Sequence, residues 1–344
     1  MGAALWPGML GGMRLGFALP QHDFSLRSES PLSYATLLEF ARYATDLGVE
    51  SLWLADHLIF DVSKYGGPSE PGGMFEPLVT LSALARDVPD VRLGTLVLLE
   101  ALRPAALLAK TISTMDRLSG GRIDVGLGAG WYEPDFTGVG MQMPKPGERL
   151  ERLAECVQVL KGLLASNAAP FTFDGKFHKS AGASLVPTAV QTPNPPIFVG
   201  GKGDRLLDLV ARHADGWNTC WQWSFDAYSE RLGVLEQACE KIGRDPSTVW
   251  RSLGLYALVG EHETDLARRF ERLRAESPKG VLDSVSLDDW RVGRLVGTVE
   301  QVREQASGWA ELGVETLIVC TGAVPFAVCA TDDLDPIVES LRDI

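Results

Sequence analysis

The sequence predicts one α/β domain, a (β/α)8 TIM barrel carrying rim insertions. Three observations predict it. Eight short β-branched or apolar runs alternate with longer amphipathic runs, the pattern of βα units around a parallel sheet. Three passages echo one another, DLGVESLWL (46–54), RLSGGRIDVGLG (117–128) and ELGVETLIV (311–319); in each a helix stops at or near Gly and a buried run follows within a few residues. Finally, 344 residues with 45% apolar and 22% charged side chains suit a single large globular unit.

In order, strands are expected at 14–19, 51–55, 92–98, 122–127, 197–199, 216–219, 249–258 and 316–320. Helices are expected at 33–47, 76–86, 104–118, 147–165, 204–213, 225–242, 298–312 and 332–342, with Pro104 suiting a first helical turn. Residues 1–12 are apolar and Gly-rich without the charged start and apolar centre of a signal peptide, and read as a loose tail; Met13 is a second candidate start. Two stretches are too long for ordinary connections: 170–196, with a hairpin-like PFTFDGKFH and many prolines, and 261–294, a charged helical segment. Both are expected as insertions of the catalytic rim in a single domain, 13–344.

Charge and composition exclude several classes. The 32 Lys+Arg against 45 Asp+Glu give −13, which opposes nucleic acid or anionic lipid as partner and leaves room for one local phosphate site. Five cysteines, odd in number and without a CxxC pair, argue against a disulfide framework or zinc knuckle and fit a reduced, cytoplasmic setting. No run approaches the roughly 20 apolar residues of a membrane span. The five histidines show no HExxH spacing, and a GxSxG elbow is absent. A carboxylate pair for glycoside hydrolysis stays open, because it depends on separation in space.

A barrel of this kind works at the C-terminal ends of its strands, so the residues there are the candidates. Pro20, Gln21 and His22 follow the first strand. Asp56 and His57 follow the second, where a His can trade protons near neutral pH; the alternative is a helix-start Asp and a satisfied His. The third strand ends without polar side chains, as a platform for a flat ring or simply a packed strand. GLGAGWYEPDF (126–136) brings Gly126, Gly128 and Gly130, then Trp131 and Tyr132, allowing close backbone approach and stacking. Gly200, Gly201, Lys202 and Gly203 lie where a strand gives way to a helix N-terminus, a place for one anion or an ordinary Gly-rich turn. Neither the dinucleotide fingerprint nor the triphosphate loop pattern is present.

Taken together, GFALP, SLWLADH, RLGTLVL, TMDRLSGGRIDVGLGAGWYEPDF and PIFVGGKG followed by ARHADGW closely resemble the bacterial luciferase-like flavin and deazaflavin enzymes, over essentially 13–344. The segment 110–136 is the most specific, with Met115 before Asp116 in the family's Asp-x-Leu-Ser-Gly-Gly-Arg run. The resemblance implies a reduced flavin-type cofactor at the barrel mouth and a non-prolyl cis peptide at Leu96 and Val97, behind the ring. It implies a phosphate over 200–203, with further backbone contacts from 128–131. The Asp-His pair is more like the coenzyme F420 branch, in which His57 would exchange the proton and Asp56 would position the ring edge. Trp131 departs from the Glu that sugar-phosphate dehydrogenases of that branch carry, which opposes the same substrate. The reading is therefore an F420-dependent oxidoreductase of a small organic substrate. Its alternative is a two-component monooxygenase using reduced FMN, of the alkanesulfonate kind and served by a separate reductase; behind both stands a non-redox barrel or a non-catalytic flavin binder. Apolar faces bearing Leu78, Leu81, Leu84 and Leu107 suit either a homodimer or packing on the barrel.

Overall fold

The computed structural model describes residues 12–165, 167–342 and 344; the tail expected at 1–12 lies outside them except for Gly12. Its first half runs β1 (Arg14–Ala18), α1 (Tyr34–Asp46), β2 (Ser51–Leu54), α2 (Pro77–Asp87), β3 (Arg92–Thr95), β4 (Leu98–Leu99), α3 (Ala105–Ser119), β5 (Ile123–Gly128), α4 (Glu133–Thr137) and α5 (Pro146–Ala165). Then come β6 (Phe171–Asp174), β7 (Lys179–Ala183), β8 (Ile197–Gly200), α6 (Asp204–His213), β9 (Gly216–Trp221), α7 (Phe225–Glu240) and β10 (Trp250–Gly260). The chain ends with α8 (Glu263–Glu276), α9 (Leu287–Arg291), β11 (Leu295–Thr298), α10 (Val299–Glu311), β12 (Thr316–Cys320) and α11 (Leu334–Leu341).

The strands β1, β2, β3, β5, β8, β9, β10 and β12 pair in parallel in that order, and β12 returns to β1, with Gly16 opposite both Ile318 and Ser51. This is a closed (β/α)8 barrel. Side chains alternate across each strand. Phe17, Leu52, Leu54, Leu93, Val125, Leu127 and Val199 pack outward beneath the helices, whereas Ala18, Trp53, Phe198, Trp250 and Ile318 point into the barrel.

The floor of the barrel explains two glycines. Trp53 is fully buried, its indole N–H donating to Ser51 Oγ at 2.9 Å, with Phe198 at 5.6 Å edge-on and Trp250 at 6.4 Å. A Cβ on Gly94 would lie 2.2 Å from the Trp53 ring, and one on Gly16 would lie 2.5 Å from its Nε1. Small residues on both neighbouring strands thus make room for one large plug. With the floor filled by rings, the barrel's cavity lies towards the strand C-termini.

The sequence's most specific motif is architectural. Asp116 is fully buried and accepts the backbone N–H groups of Val190 (2.6 Å) and Gln191 (2.9 Å) and the Gln191 amide (2.7 Å). Gly120 ends α3 in the left-handed region at φ 71°, as helix ends favour. Arg122 then donates to the carbonyls of Ala85 and Val88, tying the start of β5 to the end of α2.

Several expectations are corrected. The run 92–98 is not one strand: β3 stops at Thr95, the Leu96–Val97 peptide is cis, and pairing with β5 resumes at Leu98. Pro104 is the N-cap of α3, one residue before its first turn. The stretch 261–294 contains α8 and α9 and is followed by an unexpected strand, β11, which extends the sheet beside the end of β10. The stretch 170–196 forms the antiparallel hairpin β6–β7, but it packs against α5, where Glu155 accepts the N–H groups of Lys176, Phe177 and His178, and against α3, where Asp116 accepts Val190 N–H. Leu78, Leu81 and Leu84 are buried against the barrel, and only Leu107 of the four is exposed. Among the described residues no helix is long and apolar enough to cross a membrane.

Candidate active site

A cavity of about 410 Å³ opens at the C-terminal ends of the strands. Ten of the eleven candidates line it: Asp56, His57, Leu96, Val97, Gly128, Gly130, Trp131, Gly200, Gly201 and Lys202. The eleventh, Gly203, is the N-cap of α6 and does not line it.

Val97 is the centre of the shelf. A Cβ on Gly128 would lie 2.7 Å from its Cγ2, and one on Gly200 would lie 3.0 Å from its Cγ1. The glycines at the ends of β5 and β8 therefore accommodate the side chain that the cis peptide places between them. Gly130, at φ 78°, occurs where a Cβ would meet Leu99 at 2.5 Å. The result is a flat apolar surface bordered by open backbone.

His57 is fixed on one side. Its Nδ1–H donates to Asp135 Oδ2 at 2.7 Å, and the other carboxylate oxygen accepts Leu58 N–H at 2.8 Å. Asp135 is buried on the short helix α4, inside the quoted GWYEPDF segment, but periodicity gave no reason to choose it over Glu133. With Nδ1 committed to a carboxylate, Nε2 is the nitrogen free to gain or lose a proton. The ring also packs against Phe60 at 4.5 Å and meets Trp131 and Tyr132 edge-on at 5.8 and 5.7 Å.

Asp56 lines the cavity with its carboxylate taken up by protein groups. Its Oδ2 accepts Arg103 Nη1 at 2.5 Å and Leu99 N–H at 2.8 Å, while Oδ1 accepts Arg103 Nη2 at 3.0 Å. Its oxygens thus hold the segment just after the cis peptide.

Residues not singled out as site residues also meet there. His22 is buried, stacked on Phe24 at 4.6 Å, and its pKa is lowered to about 3, first by burial and then by repulsion from His57. Gln21 is structural: its amide brackets Ala55 and Phe75. Asn218, Thr219, Cys220 and Trp221 from β9, and Pro325 and Phe326 after β12, complete the wall. Cys220 is exposed at the cavity wall, where desolvation pushes its thiol up to about 12, so it stays protonated. The segment after His57 contributes Phe60, Lys64 and Tyr65 to the wall, whereas no residue of the expected rim insertions 170–196 and 261–294 lines it.

At the phosphate candidate, α6 has no side-chain cap on its first turn. Lys202 is exposed beside it, with its ammonium 5.4 Å from the Trp223 ring. Trp217 Nε1 donates to Gly201 O at 2.7 Å and fixes the turn. One mixed cluster lies outside the cavity: Glu100, Cys156 and His178 come within 4.8 Å of one another. There Glu100 already pairs with His178 at 2.7 Å and Arg152 at 3.5 Å, and the adjoining guanidinium opposes a metal ion.

Residues 13–316 match the family of luciferase-like monooxygenases. The chain belongs to that family and is an enzyme of it. It is 30% identical over 244 residues to an F420-dependent glucose-6-phosphate dehydrogenase of Kineococcus radiotolerans, covering 70% of this chain and 68% of the relative. It is 26% identical over 244 residues to an FMNH(2)-dependent dimethylsulfone monooxygenase of Pseudomonas putida, covering 62% and 64%. An F420-dependent secondary alcohol dehydrogenase in complex with an F420-acetone adduct superposes with a TM-score of 0.76 over 96% of this chain and 100% of that one, at 19% identity, which is a likeness of fold.

Proposed function

We propose that this protein is a coenzyme F420-dependent oxidoreductase that moves hydride between the deazaflavin and a small organic substrate. The observation that carries the proposal is His57, clamped by Asp135 at 2.7 Å, in the same cavity as the Leu96–Val97 shelf. When bound, a deazaflavin supplies a ring carbon that takes or gives hydride and does not readily activate oxygen. Oxidising a carbinol releases one hydride and one hydroxyl proton; Nε2 of His57 takes that proton, and in the reverse direction returns it.

The residues present fit such a group. Val97, Gly128 and Gly200 offer a flat bed, and the turn 200–203 with Lys202 and the uncapped start of α6 suits one phosphate. Asp56 holds the bed in place through Leu99 and Arg103. A separate enzyme would restore the cofactor, and the five free cysteines suit a cytoplasmic setting.

The test is His57→Ala. With F420 bound, hydride transfer should fall by about 10²-fold or more while cofactor affinity stays within a few-fold. Unchanged transfer in a variant that binds cofactor removes His57 from the mechanism.

A further inference from the structure

We propose that the substrate is a neutral, largely apolar molecule whose one hydroxyl or carbonyl oxygen is held between His22 and His57 against the ring of Phe60. This rests on the hydride-transfer reading above and adds the substrate class to it.

His22 is 1% exposed yet lines the cavity. Its Nδ1 is enclosed without a partner, so a ligand would meet the ring at Nε2, which no hydrogen bond among the described residues reaches. A buried polar group without a partner carries a desolvation cost, and a ligand that hydrogen-bonds it removes that cost. The ring is well held: Phe24 stacks on it at 4.6 Å, Phe60 lies at 5.4 Å and Phe326 stands edge-on at 6.3 Å. Phe60 also packs on His57 at 4.5 Å, so one aromatic side chain joins the two imidazoles. Burial keeps His22 neutral, giving it one N–H and one lone pair, the complement of a hydroxyl or carbonyl.

The groups nearest His22 suit a neutral substrate. Asp56 and Asp135 are committed to Arg103 and His57. Of the cations lining the cavity, Lys64 is exposed and sits 3.8 Å from the Trp131 ring, and Lys202 is exposed near Trp223. A phosphate beside the buried His22 would be desolvated, while both lysine ammoniums lie against tryptophan rings. The wall there is instead Phe60, Phe326 and Trp221. Phe326 has φ 58°, uncommon for a residue with a side chain, and Ser25 Oγ holds its carbonyl at 2.5 Å. Its ring meets Trp221 edge-on at 5.5 Å as well as His22.

The test is calorimetric titration of the full chain, cofactor-free and loaded with F420, using acetophenone and 1-phenylethanol as neutral probes and glucose 6-phosphate as the anionic one. At least one neutral probe should bind about tenfold or more tighter than the sugar phosphate. His22→Phe should weaken that probe about tenfold, the scale of one lost hydrogen bond, while His22→Gln should keep it within about threefold. F420 affinity should stay constant across the variants, and F420 failing to bind would defeat the cofactor reading while leaving the cofactor-free titrations to judge this one. Tighter binding of glucose 6-phosphate, no binding of either neutral probe, or wild-type affinity in His22→Phe overturns the proposal. The comparison of probes on the wild-type protein decides it even where a variant does not fold.

Discussion

Nδ1 of His57 lies 2.7 Å from Oδ2 of Asp135, which joins the end of β2 to the helix that follows β5. The pair sets the direction of the imidazole and leaves Nε2 as its free nitrogen. Asp135→Asn removes the charge and leaves the shape. Turnover should drop about 10²-fold with a displaced pH profile, while cofactor affinity changes little. A wild-type pH profile in Asp135→Asn would leave the carboxylate as packing alone.

Asp56 is a positioning residue whose loss should appear as instability. Asp56→Asn leaves Arg103 with Glu76 as its remaining carboxylate partner and weakens the anchor on Leu99. Breaking a buried pair from one side costs about 3 kcal/mol or more. Chemical denaturation should show that loss; an unchanged midpoint would mean that the ion pair contributes nothing.

Lys202 should matter to binding alone. Lys202→Glu places a like charge beside an anionic cofactor at the start of α6, and affinity should fall about tenfold or more. Added salt should weaken wild-type binding more than binding by the neutral variant Lys202→Ala. Equal affinities in titration would remove the phosphate from this turn.

The pKa of His22 carries a signed prediction for stability. Its folded value of about 3 lies below the ordinary 6.5, so the unfolded chain takes up a proton that the folded chain refuses. The stability this residue allows is complete above pH 6.5 and is lost as pH falls towards 3. His22→Phe should therefore flatten the decline in unfolding free energy between about pH 6 and pH 4. Denaturation curves that fall in parallel for both proteins would show that His22 is protonated in the fold.

Much of the barrel is legible because the 2-residue and 3.6-residue periods mark its strands and helices. Glycines such as Gly120 then mark where a helix ends. What escaped has physical reasons. The strand β11 is four residues long and runs directly into the Thr298 cap of α10, so no run of its own stands out. The break at Leu96–Val97 is invisible to periodicity, since both residues are apolar whichever way the peptide turns; the family resemblance, and not the pattern, placed it there. Of the site, the strand ends were readable because a barrel puts its chemistry there. Asp135 and Phe326 come from connections whose course depends on tertiary contacts, and His22 was noted after β1 without a role. The hold of Arg103 on Asp56 was not legible, because a partner 47 positions away leaves no local trace.

A deazaflavin is proposed to occupy the cavity over Val97. The most direct measurement is titration of the purified full chain with F420 and with FMN, each oxidised and reduced, followed by fluorescence or absorbance. The account predicts saturable one-to-one binding of F420, at least about tenfold tighter than FMN and weakened by Lys202→Glu. Tight binding of reduced FMN with none of F420 would contradict it and assign the protein to the oxygen-activating side of its family.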